Sequence, residues 1–362
     1  MAFRHIPHPD PVPADRRARL LEDPGFGQVF TDHMVTIRFT REKGWHDAEV
    51  KPRGPFLIDP AAAVLHYAQE IFEGMKAYRT AGGEVALFRA GANAERFNAS
   101  AARMAMPELP VDLFLQGVEE LVRIDRDWVP GGEGSLYLRP FMFSDEPFLG
   151  VRPANSYVFC VIACPVGPYF KGGAKPLKLF VSEDYTRAAP GGTGAAKCGG
   201  NYAASLVAQA EAAAKGCDQV IFLDAAEHRW IEELGGMNIF FVFEDGTLLT
   251  PPLGGTILPG ITRDSLIQLA RAEGLTVVER PYSLDEWRAD AASGKLTEAF
   301  ACGTAAVVAS IGEVVAASGG FQIAGAAAGQ VTTKLKALLT ELQRGEPGDE
   351  RGWVRAVPGT RA

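Results

Sequence analysis

The chain has 362 residues, with 36 basic against 44 acidic side chains and a net charge of −8. Hydrophobic residues make up 47% and charged residues 22%, ordinary globular usage that excludes a disordered chain or a fibre. The length favours two domains near the usual ~150 residues over one core, and an acidic balance without a basic run argues against a nucleic-acid partner.

Apolar runs such as 158–163 and 239–243 stop after a few residues, where a membrane helix needs about 20. The opening MAFRHIPHPDPVPADRR has no apolar core and carries Asp10 and Asp15, so neither a signal nor a transit peptide fits. The five cysteines are odd in number and form no CxxC, which suits a reduced, cytoplasmic setting with buried thiols.

Residues 1–25, rich in Pro and charge, are expected to cover a surface. Strands are predicted at 29–38 and 54–57, and 61–72 reads as strand, turn or short helix. A hairpin pairs 74–80 with 83–89 across Ala81-Gly82-Gly83. Helices follow at 92–104 and at 112–122, the second with Asp112 as N-cap, and then strands at 135–143 and 157–164. Pro165-Val166-Gly167-Pro168 and Lys171-Gly172-Gly173 read as a linker near mid-chain. Beyond it come a strand at 177–181, a Gly-rich loop, and a helix at 202–215 capped by Asn201 and ended by Gly216. Strands at 219–223 and 238–243, a helix at 261–273 stopped by Gly274, short strands at 276–280 and 298–301, and a helix at 333–343 complete the pattern. Residues 324–328 read as loop, and the tail after Gly345 as loosely held.

Several sites are missing from the sequence. No GxGxxG joins a strand to a helix, Gly192-Thr193-Gly194-Ala195-Ala196-Lys197 fails as a P-loop, and there is neither HExxH, nor GxSxG, nor His spacing suited to a metal. What stands out is Lys197, alone among Gly and Ala from Pro190 to Tyr202. Small residues let a flat ligand approach the backbone, and a lysine away from other charges beside apolar surface can act as an amine nucleophile. A solvated lysine in a surface loop is the open alternative. Leu258-Pro259-Gly260-Ile261-Thr262-Arg263 opens a helix whose N–H groups attract an anion, and Cys302-Gly303-Thr304-Ala305 offers further donors; ordinary capping is the alternative for both. Glu232 and Glu233 before Gly235-Gly236 could keep a ring nitrogen protonated, or form a charged turn. Tyr202 could meet a ring hydroxyl, or be a core tyrosine. Amine, phosphate cradle, acid and phenol are the parts a pyridoxal phosphate site needs.

These residues match a known family. The runs 26–34, 66–74, 136–140, 192–194 with 197–202, 258–263 and 303–305 are collinear, and the chain strongly resembles the branched-chain amino acid aminotransferases of the fold-type IV pyridoxal phosphate enzymes. The resemblance implies a mixed α+β and α/β fold in two domains: a small N-terminal α+β domain (1–166), an interdomain loop (167–176) and a larger pseudo-barrel cofactor-binding domain (177–362), with the cofactor enclosed between them. It implies a homodimer, with Leu149 and Val151 reaching the neighbour's pocket. Carried over residue by residue, Lys197 is the Schiff-base lysine, Glu233 the partner of the pyridine nitrogen, and Tyr202 the ligand of the ring oxygen. Arg96, the N–H groups of Ile261 and Thr262, and Thr304 would take the phosphate. Phe26, Tyr67, Phe72, Tyr137 and Tyr169 would line the substrate pocket, Arg139 would receive the side-chain carboxylate of glutamate, and Ala305 lies where the α-carboxylate docks.

The implied reaction is ping-pong amino transfer from Leu, Ile or Val to 2-oxoglutarate, giving branched 2-oxo acids and glutamate, without a metal. A D-amino acid aminotransferase, an aminodeoxychorismate lyase or a non-catalytic cofactor binder are the rivals. Ala306 and Ala309 stand where some animal members carry a CxxC, so no thiol switch is expected; Cys198 and Cys302, near the site, could still react with electrophiles.

Overall fold

The computed structural model describes residues 1–167, 175–324, 329–345 and 351–359. Among these the chain forms two compact units, Met1–Tyr169 with Ala196–Gly199 and Glu341–Ala362, and Phe170–Ala195 with Gly200–Thr340.

Unit 1 is built on one sheet of β1 (Arg4–His5), β2 (His33–Thr40), β3 (Gly44–Pro52), β4 (Glu70–Phe72), β5 (Met75–Arg79), β6 (Val85–Phe88), β7 (Ser135–Ser144) and β8 (Ser156–Val166), with a C-terminal strand, Val354–Val357. The order is β1-β3-β2-β8-β7-β5-β6 and then the C-terminal strand, with β4 beside β7. β7 and β8 are buried along almost their whole length, as central strands covered on both faces must be. The helices are α1 (Ala14–Glu22), α2 (Ala63–Tyr67), α3 (Ala90–Arg103) and α4 (Val111–Ile124). α4 buries Leu113, Phe114, Gly117, Val118 and Leu121, one stripe of a 3.6-residue period. Phe114 meets Phe97 of α3 and Phe159 of β8 with ring centroids 5.4 and 5.7 Å apart.

Unit 2 holds β9 (Leu177–Ser182), β10 (Gln219–Leu223), β11 (Ile231–Leu234), β12 (Asn238–Phe243), β13 (Thr247–Thr250), β14 (Thr276–Glu279), β15 (Leu296–Gly303), β16 (Val307–Val315) and β17 (Phe321–Gln322). The order is β11-β10-β9-β16-β15-β12-β13-β14, with β17 beside β16. Its helices are α5 (Gly199–Ala214), whose first residue is assigned to unit 1, α6 (Ile261–Ala272), α7 (Leu284–Ser293) and α8 (Gln330–Gln343), whose residues from Glu341 on are assigned to unit 1. Phe241 packs on Tyr282 and Trp287 at 4.7 and 5.0 Å between ring centroids.

Several expectations need correction. Residues 54–57 form no strand; β2 pairs with β8 on one side and on the other with β3, whose polar sequence hides its pairing. The N-cap of α4 is Pro110, with no side-chain cap, and Asp112 lies in the first turn, where the helix dipole favours an acid. Asn201 is inside α5 rather than before it: its Nδ2 donates to the Thr193 carbonyl at 2.8 Å and its Oδ1 accepts the Thr193 hydroxyl at 2.7 Å. The Glu232–Glu233 turn is strand β11, paired antiparallel with β10. The tail is not loose, because Val354–Val357 pairs in register with β6. Of the expected linker, Pro165 and Val166 are instead the end of β8, while 168–174, and 325–328 of the patch at 324–328, lie outside the described residues.

Candidate active site

The segment that carries Lys197 is fixed by its neighbours in unit 1. Ala196 and Cys198, on either side of the lysine, are both in the hydrophobic core, at 2% and 1% exposure. The Lys197 N–H donates to Ser100 Oγ of α3 at 2.9 Å. Its carbonyl accepts the Phe72 N–H of β4 at 2.9 Å. Two residues on, the Gly199 N–H donates to Glu70 Oε1 of β4, and a Cβ at Gly199 would run into that oxygen. The Lys197 ammonium lies 4.8 Å from the centre of the Phe72 ring. Burial, and next the Arg96 charge, bring its pKa down from 10.5 to about 8.

Arg96 is held by an acid the sequence reading did not single out. Its Nε and Nη2 donate to the two oxygens of Glu73, both at 2.8 Å. Glu73 is fully buried and also accepts Asn93 Nδ2 at 2.7 Å and the Gly74 N–H at 3.2 Å. A bidentate pair in this setting fixes the guanidinium plane.

Arg139 of β7 also approaches the Phe72 ring, its Cζ 4.7 Å from that ring and 5.4 Å from the Tyr137 ring. Its Nη2 donates to Tyr137 Oη at 3.1 Å, and its buried Nε has no hydrogen-bond partner among the described residues. Gly74 is required here, since a Cβ would collide with Tyr137 Oη. Phe26 stands edge-on to Tyr137 at 5.1 Å. Tyr67 joins a second group: its hydroxyl donates to the Leu149 carbonyl, and Leu149 and Val151 are 67% and 87% exposed. Tyr169 lies outside the described residues.

In unit 2, Glu233 on β11 is 2% exposed. Its Oε1 accepts the Leu258 N–H at 2.8 Å and pairs with Arg187 Nη1 at 2.9 Å. Tyr202, in the second turn of α5, brings its ring edge near Gly236, in the bend after β11. α6 begins at Ile261 and Thr262 after Gly260, an N-cap with no side chain to compete for the first N–H groups. Asn238 explains that glycine, because a Cβ there would overlap its Oδ1, while its Nδ2 donates to the Leu258 carbonyl at 3.1 Å. Thr304 and Ala305 form the tight turn between β15 and β16. The turn ends on Val307 at φ 61°, a conformation a β-branched residue rarely takes and one that clusters at functional sites.

Cys198 and Cys302 are each 1% exposed, and burial pushes the Cys302 thiol far up. This corrects their expected reactivity, because both sulfurs are buried away from an incoming electrophile. Glu70, Glu73, Ser100 and Arg187 were missed. Glu73, beside the matched Phe72 and Gly74, had a signal in its place within an apolar run; Ser100 and Arg187 had none, as their partners are distant in sequence.

Comparison with known proteins follows the same lines. The model of the class IV amino-transferase family matches residues 70–314. A probable branched-chain-amino-acid aminotransferase of Streptomyces coelicolor is 55% identical over 353 residues, 97% of each chain. The solved Escherichia coli branched-chain amino acid aminotransferase is 30% identical and superposes with a TM-score of 0.73 over 83% of this chain and 94% of its own. The branched-chain amino acid aminotransferase of Thermobaculum terrenum, solved in its PLP form, is 25% identical with a TM-score of 0.73 over 90% and 98%. The expected mixed fold in the fold-type IV manner is therefore the one this chain adopts. The chain belongs to the class IV aminotransferases, among the branched-chain-amino-acid aminotransferases.

Proposed function

We propose that the chain moves the amino group of Leu, Ile or Val to 2-oxoglutarate in a reversible ping-pong reaction, with pyridoxal 5′-phosphate bound to Lys197. The observation that carries the reading is a buried lysine that shares the Phe72 ring with Arg139 and whose pKa, under burial and the nearby Arg96 charge, is brought to about 8. The donor set fits the cofactor: an amine for its aldehyde, a glycine-capped helix start and an arginine for its phosphate, and a buried carboxylate for its ring nitrogen. When bound, the cofactor supplies a carbonyl carbon and an electron-accepting ring.

The chain's own residues do the rest. Lys197 Nζ, uncharged above about pH 8, takes the substrate's α-proton and later returns one. The N–H groups of Ile261 and Thr262, with Arg96 and Thr304, take the phosphate dianion. Glu233 holds a proton on the ring nitrogen, and Tyr202 donates to the ring oxygen. Phe26, Phe72 and Tyr137 favour an aliphatic side chain, each buried methylene contributing about 0.8 kcal/mol. The open Nε of Arg139 suits the distal carboxylate of glutamate. Ala305 is assigned to the α-carboxylate. Tyr67, Leu149 and Val151 are assigned to the pocket of a homodimer, with the two exposed side chains entering the partner's site. A cytoplasmic protein is the matching setting.

The test is purified protein given leucine and 2-oxoglutarate. Glutamate should form, borohydride should fix the cofactor's mass on Lys197, and Lys197→Ala should abolish both. A Lys197→Ala protein that transaminates at the parental rate sinks the reading.

A further inference from the structure

We infer that Arg187 is a positioning residue for this reaction, one that holds Glu233 as a carboxylate toward the cofactor's ring nitrogen and ties together three segments of the site. The inference rests on the reading of Glu233 given above.

Arg187 and Glu233 are both 3% exposed in their side chains, with Nη1 2.9 Å from Oε1. The same Nη1 donates to the Thr256 carbonyl at 2.9 Å and to the Gly194 carbonyl at 3.3 Å, and Nη2 reaches Gly194 at 3.4 Å. One guanidinium thus joins β11, the loop three residues before Lys197, and the loop that leads into α6. Those loops are pressed together, since a Cβ on Gly194 would overlap the Thr256 backbone. Thr256 also donates its hydroxyl to Glu232 at 2.5 Å.

Guanidinium stays charged throughout the working pH range. A buried charge needs a buried countercharge, and Glu233 is the carboxylate in contact. A carboxylate that already accepts from a guanidinium and from the Leu258 N–H is a weak base. A proton shared with a pyridine nitrogen then resides on the nitrogen, the form of the ring that accepts electrons. Arg187 touches no reacting atom in this scheme; it acts through Glu233.

A double-mutant cycle on the holoprotein separates this role from a merely structural one. Arg187→Gln, Glu233→Gln and the double variant are compared by pH titration of the bound cofactor's visible absorption and by turnover with leucine. Arg187→Gln should shift the titration and lower kcat at least tenfold, with KM for leucine changed less than threefold. In the Glu233→Gln background the same change should do little more. Additive effects of the two substitutions overturn the inference, as does an unshifted titration in Arg187→Gln alongside a shifted one in Glu233→Gln. If Glu233→Gln moves neither readout, the Glu233 reading falls first and the inference with it. Should Arg187→Gln not fold, Arg187→Lys goes through the same cycle, with the same non-additivity required.

Discussion

At the scale of single residues, Lys197 ties chemistry to stability. Its pKa falls from 10.5 to about 8 on folding, with burial the foremost cause. Between those values the unfolded chain binds the extra proton, so the cofactor-free fold gains stability as pH rises through this window. Below about pH 8 the buried ammonium costs about 3 kcal/mol. Acylation of Lys197 in cofactor-free protein, followed by mass spectrometry, should therefore reach half its maximal rate near pH 8; a midpoint above 10 contradicts the argument. Ser100 is the second residue to probe. Its hydroxyl accepts the Lys197 N–H in a fully buried place, so Ser100→Ala leaves a donor unpaired at a cost of about 1–3 kcal/mol. Denaturant titration of cofactor-free protein should show that loss, and Ser100→Thr should recover part of it. The lysine, acid and helix start were legible because glycine runs and isolated charges mark them in the sequence. Glu70, Ser100 and Arg187 were not, because a side chain's service to a residue 46 to 129 positions away leaves no local pattern; Glu73, which serves a residue 23 away, was passed over despite its place in an apolar run.

Among the elements, the legible ones were those with one buried stripe or one turn signal. The β5–β6 hairpin pairs Ala77 with Leu87 across the expected turn, and α6 is stopped by Gly274 at φ 80°. The elements that escaped are those whose reason to form is tertiary. β3 is half polar because it lies between β1 and β2. β11 holds Glu232 and Glu233 because Thr256 and Arg187 await them. α7 escaped too, although its start has a local signal: Ser283 Oγ accepts the Glu286 N–H at 3.1 Å, and Glu286 Oε2 accepts the Ser283 N–H at 2.9 Å. This capping box makes Ser283→Ala a clean test. Ser283 is buried at 1% exposure, and the substitution should cost about 1 kcal/mol, read as a lower denaturation midpoint. The start of α6 responds differently. Gly260→Ala sets a methyl against Asn238 Oδ1 and should weaken phosphate holding, so that inorganic phosphate competes with the cofactor less well than in the parent.

For the molecule as a whole, the C-terminal strand decides how far the lysine's setting depends on a distant stretch of chain. Val354–Val357 closes the unit 1 sheet against β6, with Val357 opposite Val85 and 2% exposed. Trp353 stands edge-on to Phe88 at 5.7 Å, and its carbonyl accepts the Arg89 N–H at 2.6 Å. Arg126 donates to the Val357 carbonyl at 3.0 Å. The Trp353–Arg89 bond falls on the N-cap of α3, the helix that carries Arg96 and Ser100. Composition alone made the tail look loosely held, because four residues pairing with an edge have no hydrophobic run of their own. Ending the chain after Gly345 removes the buried valine and reopens the β6 edge, a loss of about 2–4 kcal/mol. It also frees the start of α3, so Lys197 should lose its depressed pKa in part, and its acylation midpoint should move above pH 8. Valine 357 to alanine alone should reproduce a smaller stability loss and leave the midpoint near pH 8, because the Trp353–Arg89 bond survives. A truncated protein with unchanged stability and an unchanged midpoint shows that the strand only decorates the sheet.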